Sequence, residues 1–81
     1  MKTKPAKKGE HDETIPVGGK DYLCRFREDA HHAYHVTCAA LPSVFAYGLD
    51  LPSARRAVRD EIEALISDRE RRYEADSLSA L

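Results

Sequence analysis

Apolar and polar residues alternate one for one in the first part of the chain and recur every three or four residues in the second. In residues 20–27, KDYLCRFR, one face holds Tyr22, Cys24 and Phe26, and the other holds Leu23, Arg25 and Arg27. The alternation resumes in residues 33–40, AYHVTCAA, with Tyr34, Val36 and Cys38 opposite His35 and Thr37. Successive side chains on a strand point to opposite faces, so each run predicts a half-buried strand. The polar residues 28–32 between them predict an antiparallel hairpin turn. Leu41-Pro42-Ser43 breaks the second strand. Residues 44–47, VFAY, are β-branched and aromatic and predict a third strand, closed by Gly48. Pattern alone leaves open whether Phe45 and Tyr47, or Val44 and Ala46, face outward, because a one-residue slip exchanges the two sets.

Beyond Gly48 the period changes. Leu51, Ala54, Val58, Ile62, Leu65 and Ile66 form one stripe at spacings of three and four, the mark of an amphipathic helix. Asp50 is the expected N-cap, with Ser53 as a competitor, and Pro52 fits because the first turn does not need its N–H. The helical pattern runs to about Glu74, which at about 1.5 Å per residue is about 36 Å long. A six-residue strand spans only about 20 Å, so the sheet covers about half of this helix. Residues 67–76, SDRERRYEAD, are expected to project beyond it, carrying Arg69 and Tyr73 to solvent or to another chain.

The ends add little to a core. Residues 1–12 contain Lys2, Lys4, Lys7 and Lys8 and no large apolar residue after Met1. They cannot bury enough surface to offset ordering, which predicts a mobile Lys-rich tail. Residues 13–17 are a candidate edge strand, since Pro16 cannot donate to a ladder and Gly18-Gly19 suits a two-residue turn. Residues 77–81 read as a C-terminal tail. The expected fold is α+β: a three-stranded antiparallel meander packed on one long C-terminal helix (β-β-β-α), plus that candidate edge strand, in a single domain over 13–76. One face of such a sheet stays uncovered. It would carry Leu23, Arg25, Arg27, His35, Thr37 and one of the two alternating sets of strand three, and would favour oligomerisation or a partner.

Composition narrows the function classes. Eighty-one residues allow one small domain. Thirteen Lys and Arg against 14 Asp and Glu give neither the basic field of a nucleic-acid binder nor the acidic excess of a polyanion mimic. No apolar run is long enough to span a membrane, and no apolar stretch follows the basic N-terminus as in a secretory signal. A cytoplasmic protein is expected. Cys24 and Cys38 lie at strand positions outside any metal-type spacing and read as buried free thiols, which become neighbours if their strands pair. His31, His32, His35 and Cys38 are close in sequence. Period two places His31 with His35 and His32 with Cys38 on opposite faces, which argues against one metal site. No nucleophile–base arrangement, phosphate loop or forced carboxylate pair appears, so no catalytic residue, metal or cofactor is expected, and a metal-dependent or RNA-processing enzyme is the weakest reading.

Taken together, YLCRFRED and AYHVTCAALPSVFAYGLDLPSARRAVRDEIEAL resemble the bacterial HicB-type antitoxin family over about residues 21–65. Tyr34 and Val36 match its second strand, and Leu41 and Pro42 match its proline segment. Gly48 matches its glycine corner, and Leu51 and Ala54 match its helix start. The chain departs from the family pattern at Ala39, Ala40, Ser43, Ala46, Leu49, Pro52 and Ser53. The resemblance implies a fold with the element order of part of a double-stranded-RNA-binding domain. It implies neutralisation of a small HicA-type toxin that cleaves messenger RNA, through the antitoxin's sheet and loop surface. Arg25, Arg27, His35, Phe45, Tyr47, Arg69 and Tyr73 are the expected partner-binding residues, and Pro42, Gly48, Asp50 and Ala54 are the structural ones. Many members also carry a DNA-binding domain after the helix. This chain ends soon after its helix, so operator binding by it alone is not expected. A homodimer or higher oligomer is expected, and a stand-alone oligomeric domain with another ligand is the alternative.

Overall fold

A computed structural model describes residues 8–79, with side chains described through residue 71. Four strands precede one helix: β1 (Glu10–Val17), β2 (Lys20–Glu28), β3 (Tyr34–Cys38), β4 (Phe45–Gly48) and α1 (Leu51–Ser79). The strands form one antiparallel sheet in the order β1-β2-β3-β4, a meander in which sequence neighbours are spatial neighbours. The α+β class and the meander-plus-helix arrangement agree with expectation, and the candidate edge strand is a full fourth strand. It begins at Glu10, within the stretch read as a tail. The rest of that tail, residues 1–7, lies outside the described residues. At the other end α1 runs on to Ser79, through most of the stretch expected to be a loose terminus.

β1 extends further than its apolar residues suggest because β2 offers it a full-length partner, from Glu10 opposite Arg27 to Val17 opposite Lys20. Gly18 and Gly19, with φ of 57° and 80°, make the two-residue turn. Glu28 donates to the Gly9 carbonyl at 2.9 Å. Antiparallel pairs alternate between bonded and non-bonded, so the backbone groups of His11, Glu13, Ile15 and Val17 point to β2. Those of Glu10, Asp12, Thr14 and Pro16 point to the free edge. Pro16 therefore lacks its N–H where no strand needs it.

The core lies between the inner sheet face and the helix. Ile15, Val17, Cys24, Phe26, Val36, Cys38, Leu41, Val44, Ala46, Ala54, Val58 and Ile62 form one buried cluster. Val44 and Ala46 point inward, which settles the open register: Phe45 and Tyr47 face outward, 57% and 48% exposed. Pro42 sits in a tight turn closed by Val44 donating to the Leu41 carbonyl at 2.9 Å. The stripe residues Ala54, Val58 and Ile62 are fully buried, and Leu51, Leu65 and Ile66 pack at the margin.

Asp50 caps the helix. Its Oδ1 accepts from Ser53 N at 2.8 Å and its carbonyl accepts from Ala54 N at 3.0 Å. The Ser53 hydroxyl, and then the Ser53 N–H, hold the Asp50 carboxyl below the usual carboxylate range. Gly48 sets the corner before it. A Cβ at Gly48 would lie 2.3 Å from Ala54 N and 2.6 Å from Ala54 Cα. Only glycine lets β4 pass the helix start this closely.

Two predictions follow from these contacts. Gly48→Ala forces backbone against backbone and should cost about 1–3 kcal/mol or more, read as a lower urea midpoint with unchanged m-value. Cys24 and Cys38 are buried and sit directly opposite each other on β2 and β3 as free thiols. Burial, then the adjacent Cys38, push the Cys24 thiol up to about 12. Both thiols should resist aromatic disulfide reagents in the native protein at neutral pH and react quickly in denaturant, as counted by released thiolate absorbance.

Candidate functional site

The outer face of the sheet carries no covering element among the described residues. Across it, from β1 to β4, run Glu10, Asp12 and Thr14, then Leu23, Arg25 and Arg27, then His35 and Thr37, then Phe45 and Tyr47. The alternation that buries Cys24, Phe26, Val36 and Ala46 forces these neighbours outward. Five of the expected partner-binding residues, Arg25, Arg27, His35, Phe45 and Tyr47, are thus brought together on one surface. Arg25, Arg27, His35 and Phe45, with Glu10 and Thr37, line a shallow hollow of about 180 Å³.

His35 is its centre. It is paired with Tyr47 across the β3–β4 ladder, and the ring centroids are 5.1 Å apart in an edge-on arrangement. Phe45 lies 5.9 Å away. The third side of the imidazole is held by Asp29, whose Oδ2 is 3.0 Å from His35 Nε2. Asp29 is itself fixed by the hairpin turn, because its Oδ1 accepts from His31 N at 2.8 Å and Ala33 N at 3.1 Å. The His31 N–H, then His35 and the Ala33 N–H, hold the Asp29 carboxyl below its usual range. An aspartate of the turn therefore positions a ring on the outer face. Arg25 is held similarly: its Nε donates to Asp12 Oδ1 at 2.8 Å and its Nη2 to Asp12 Oδ2 at 3.1 Å. This two-pronged geometry is the specific mode of arginine with a carboxylate. It lowers the Asp12 carboxyl and raises Arg25.

Arg69 is not on this face. It borders a groove on the helix side with Val17, Lys20, Tyr22, Ile66 and Glu70. The expected partner-binding set is therefore split between the two sides of the molecule. The side chain of Tyr73 lies outside the described residues. The histidines are also dispersed, more widely than alternation predicts. β3 starts at Tyr34, so His31 and His32 belong to the turn, where His32 takes a φ of 65° and bonds Glu28 Oε2 at 2.7 Å. His11 lies on the inner side, stacked on Phe26 at 5.1 Å. Among the described residues no group of three or more His, Cys, Asp or Glu could hold a metal ion. No helix among them is long and apolar enough to cross a membrane.

A second polar arrangement ties the β1 edge to the helix. Arg55 Nε and Nη2 donate to Glu13 Oε1 and Oε2 at 2.7 and 3.0 Å, and His11 Nε2 lies 2.7 Å from Glu13 Oε2. The Arg55 guanidinium, with help from His11, holds the Glu13 carboxyl below its usual range. Sequence pattern gave no sign of this pair, which is 42 residues apart in the chain. Once β1 is recognised as a strand, its alternation does place Glu13 on the helix side with Ile15 and Val17.

Asp12, Glu13, Asp29 and Asp50 each have a folded-state pKa below the unfolded value of 3.8 or 4.5. Their stabilisation is complete above those unfolded values and is lost as pH falls through the folded ones. The urea midpoint should therefore hold steady at neutral pH and fall as pH drops below about 4. Glu13→Gln should lower the urea midpoint at pH 7 only slightly, since Arg55 is half exposed and solvent screens the pair, and should make the acid limb shallower.

Comparison of this chain with protein-family models, with curated proteins and with solved structures finds no match.

Proposed function

We propose that this chain is a protein-binding module of the antitoxin type. Its open sheet face would hold a small HicA-type toxin and keep it from cleaving messenger RNA in the cytoplasm. The observation that carries this reading is the cluster of half-buried His35 with exposed Phe45 and Tyr47, on a face that no described element covers, beside Arg25 and Arg27. Aromatic and arginine side chains dominate the binding energy of protein interfaces. Here His35 and Arg25 are already restricted by Asp29 and Asp12, so docking these two loses less side-chain entropy than it would with free chains. The surface has acidic neighbours in Glu10, Asp12 and Asp29, which suits a basic protein partner better than a polyphosphate backbone. The resemblance of residues 21–65 to HicB-type antitoxins supplies the identity of that partner.

The test is co-expression with a small HicA-type toxin, sought first in the reading frames adjacent to that of this chain. A stable complex and loss of messenger RNA cleavage are expected. Phe45→Ala and His35→Ala should each weaken the complex about 10- to 100-fold by calorimetry, with the far-ultraviolet spectrum unchanged. A complex indifferent to both substitutions would remove the sheet face from the interface. Absence of any complex would remove the antitoxin reading itself.

A further inference from the structure

The two edges of the sheet are built differently. On β1 the free edge is lined by Glu10, Asp12 and Pro16, two charges and a residue without a donor, which discourage a further strand. On β4, FAYG, there is neither charge nor proline.

The hydrogen-bond alternation shows which β4 groups are open. Asp29 donates to the Ala33 carbonyl and Ala39 to the Leu23 carbonyl, so His35 and Thr37 bond β2 while Tyr34 and Val36 turn to β4. Their partners there are Gly48 and Ala46. The N–H and C=O groups of Phe45 and Tyr47 consequently point away from β3, to the free edge. Two outward residues separated by one inward residue are complementary to themselves under a two-fold axis.

We propose that β4 pairs antiparallel with β4 of a second copy of this chain, with the axis at Ala46. Phe45 of each copy faces Tyr47 of the other, and each pair exchanges both its backbone bonds. Two four-stranded sheets become one continuous eight-stranded sheet. The rings of Phe45 and Tyr47 from both copies meet on the outer face as cross-strand aromatic pairs. This pairing holds whether or not the outer face takes a toxin.

Light scattering of the full chain at high micromolar concentration should give a dimer. Tyr47→Pro removes an outward donor and no intrachain ladder bond, and should weaken the dimer at least tenfold while the melting transition persists. A second measurement covers the case in which proline disturbs the strand. A mixture of Phe45→Cys chains with Tyr47→Cys chains should form an interchain disulfide under mild oxidation, because opposed bonded residues lie about 5.5 Å apart between Cα atoms, within disulfide reach. Either chain alone should not, since the like positions are diagonal across the axis. A monomer at high micromolar concentration overturns the proposal. So does a dimer that survives Tyr47→Pro and stays unlinked in the mixture.

Discussion

The contact between the Gly48 backbone and the backbone of Ser53 and Ala54 sets the geometry of everything after β4. A side chain at residue 48 has no room, because the helix start lies 2.3 to 2.8 Å from where its Cβ would be. With that approach in place, the Asp50 cap satisfies the first turn, and the stripe from Ala54 to Ile62 falls onto the inner sheet face. The position of the helix over the sheet is thus determined at one corner and confirmed at the far edge by the Arg55–Glu13 pair. A small domain with so few buried residues has little spare apolar area with which to correct a misplaced helix.

The single helix leaves the sheet two-sided. The inner face is apolar at its centre, and no polar or charged residue among those described is buried there. The outer face is wet but partly organised, since Arg25 and His35 are each held by a carboxylate from β1 or from the hairpin turn. A surface whose side chains are restrained before any partner arrives behaves differently from one that is merely exposed: it presents one shape rather than many. The edges share this division of labour, one carrying charges and proline, the other carrying none.

Much of this was legible in the sequence, and the reasons are local. Period two in 20–27 and 33–40 gave β2 and β3 with the correct buried faces, because alternation and burial are the same fact on a half-covered sheet. Pro42, Gly48 and Asp50 read correctly because turn, close approach and cap each demand a residue type. The register of β4 was not legible, since VFAY is apolar on both sides and only the pairing of Val36 with Ala46 decides it. The first half of β1 was missed because Glu10, His11 and Asp12 look like tail. They are ordered by a full-length partner strand and by the stacking of His11 on Phe26, both non-local. Arg69, expected on the helix, lies on the helix side beside Val17, Lys20 and Tyr22, apart from the sheet-face residues. A helix long enough to project beyond its sheet carries its last turns past the hairpin on the side away from the outer face.

The meander order has a consequence for synthesis. All four strands leave the ribosome before the helix that covers them. Until Ala54, Val58 and Ile62 emerge, Ile15, Val17, Phe26 and Val36 have no apolar layer to pack against, and the sheet has one wet face too many. A nascent chain in this condition exposes sticky surface and an unguarded strand edge together. The helix therefore acts as the closing step of folding as well as half of the core, and premature termination before about residue 62 would release a chain with aggregation-prone strands and no means of covering them.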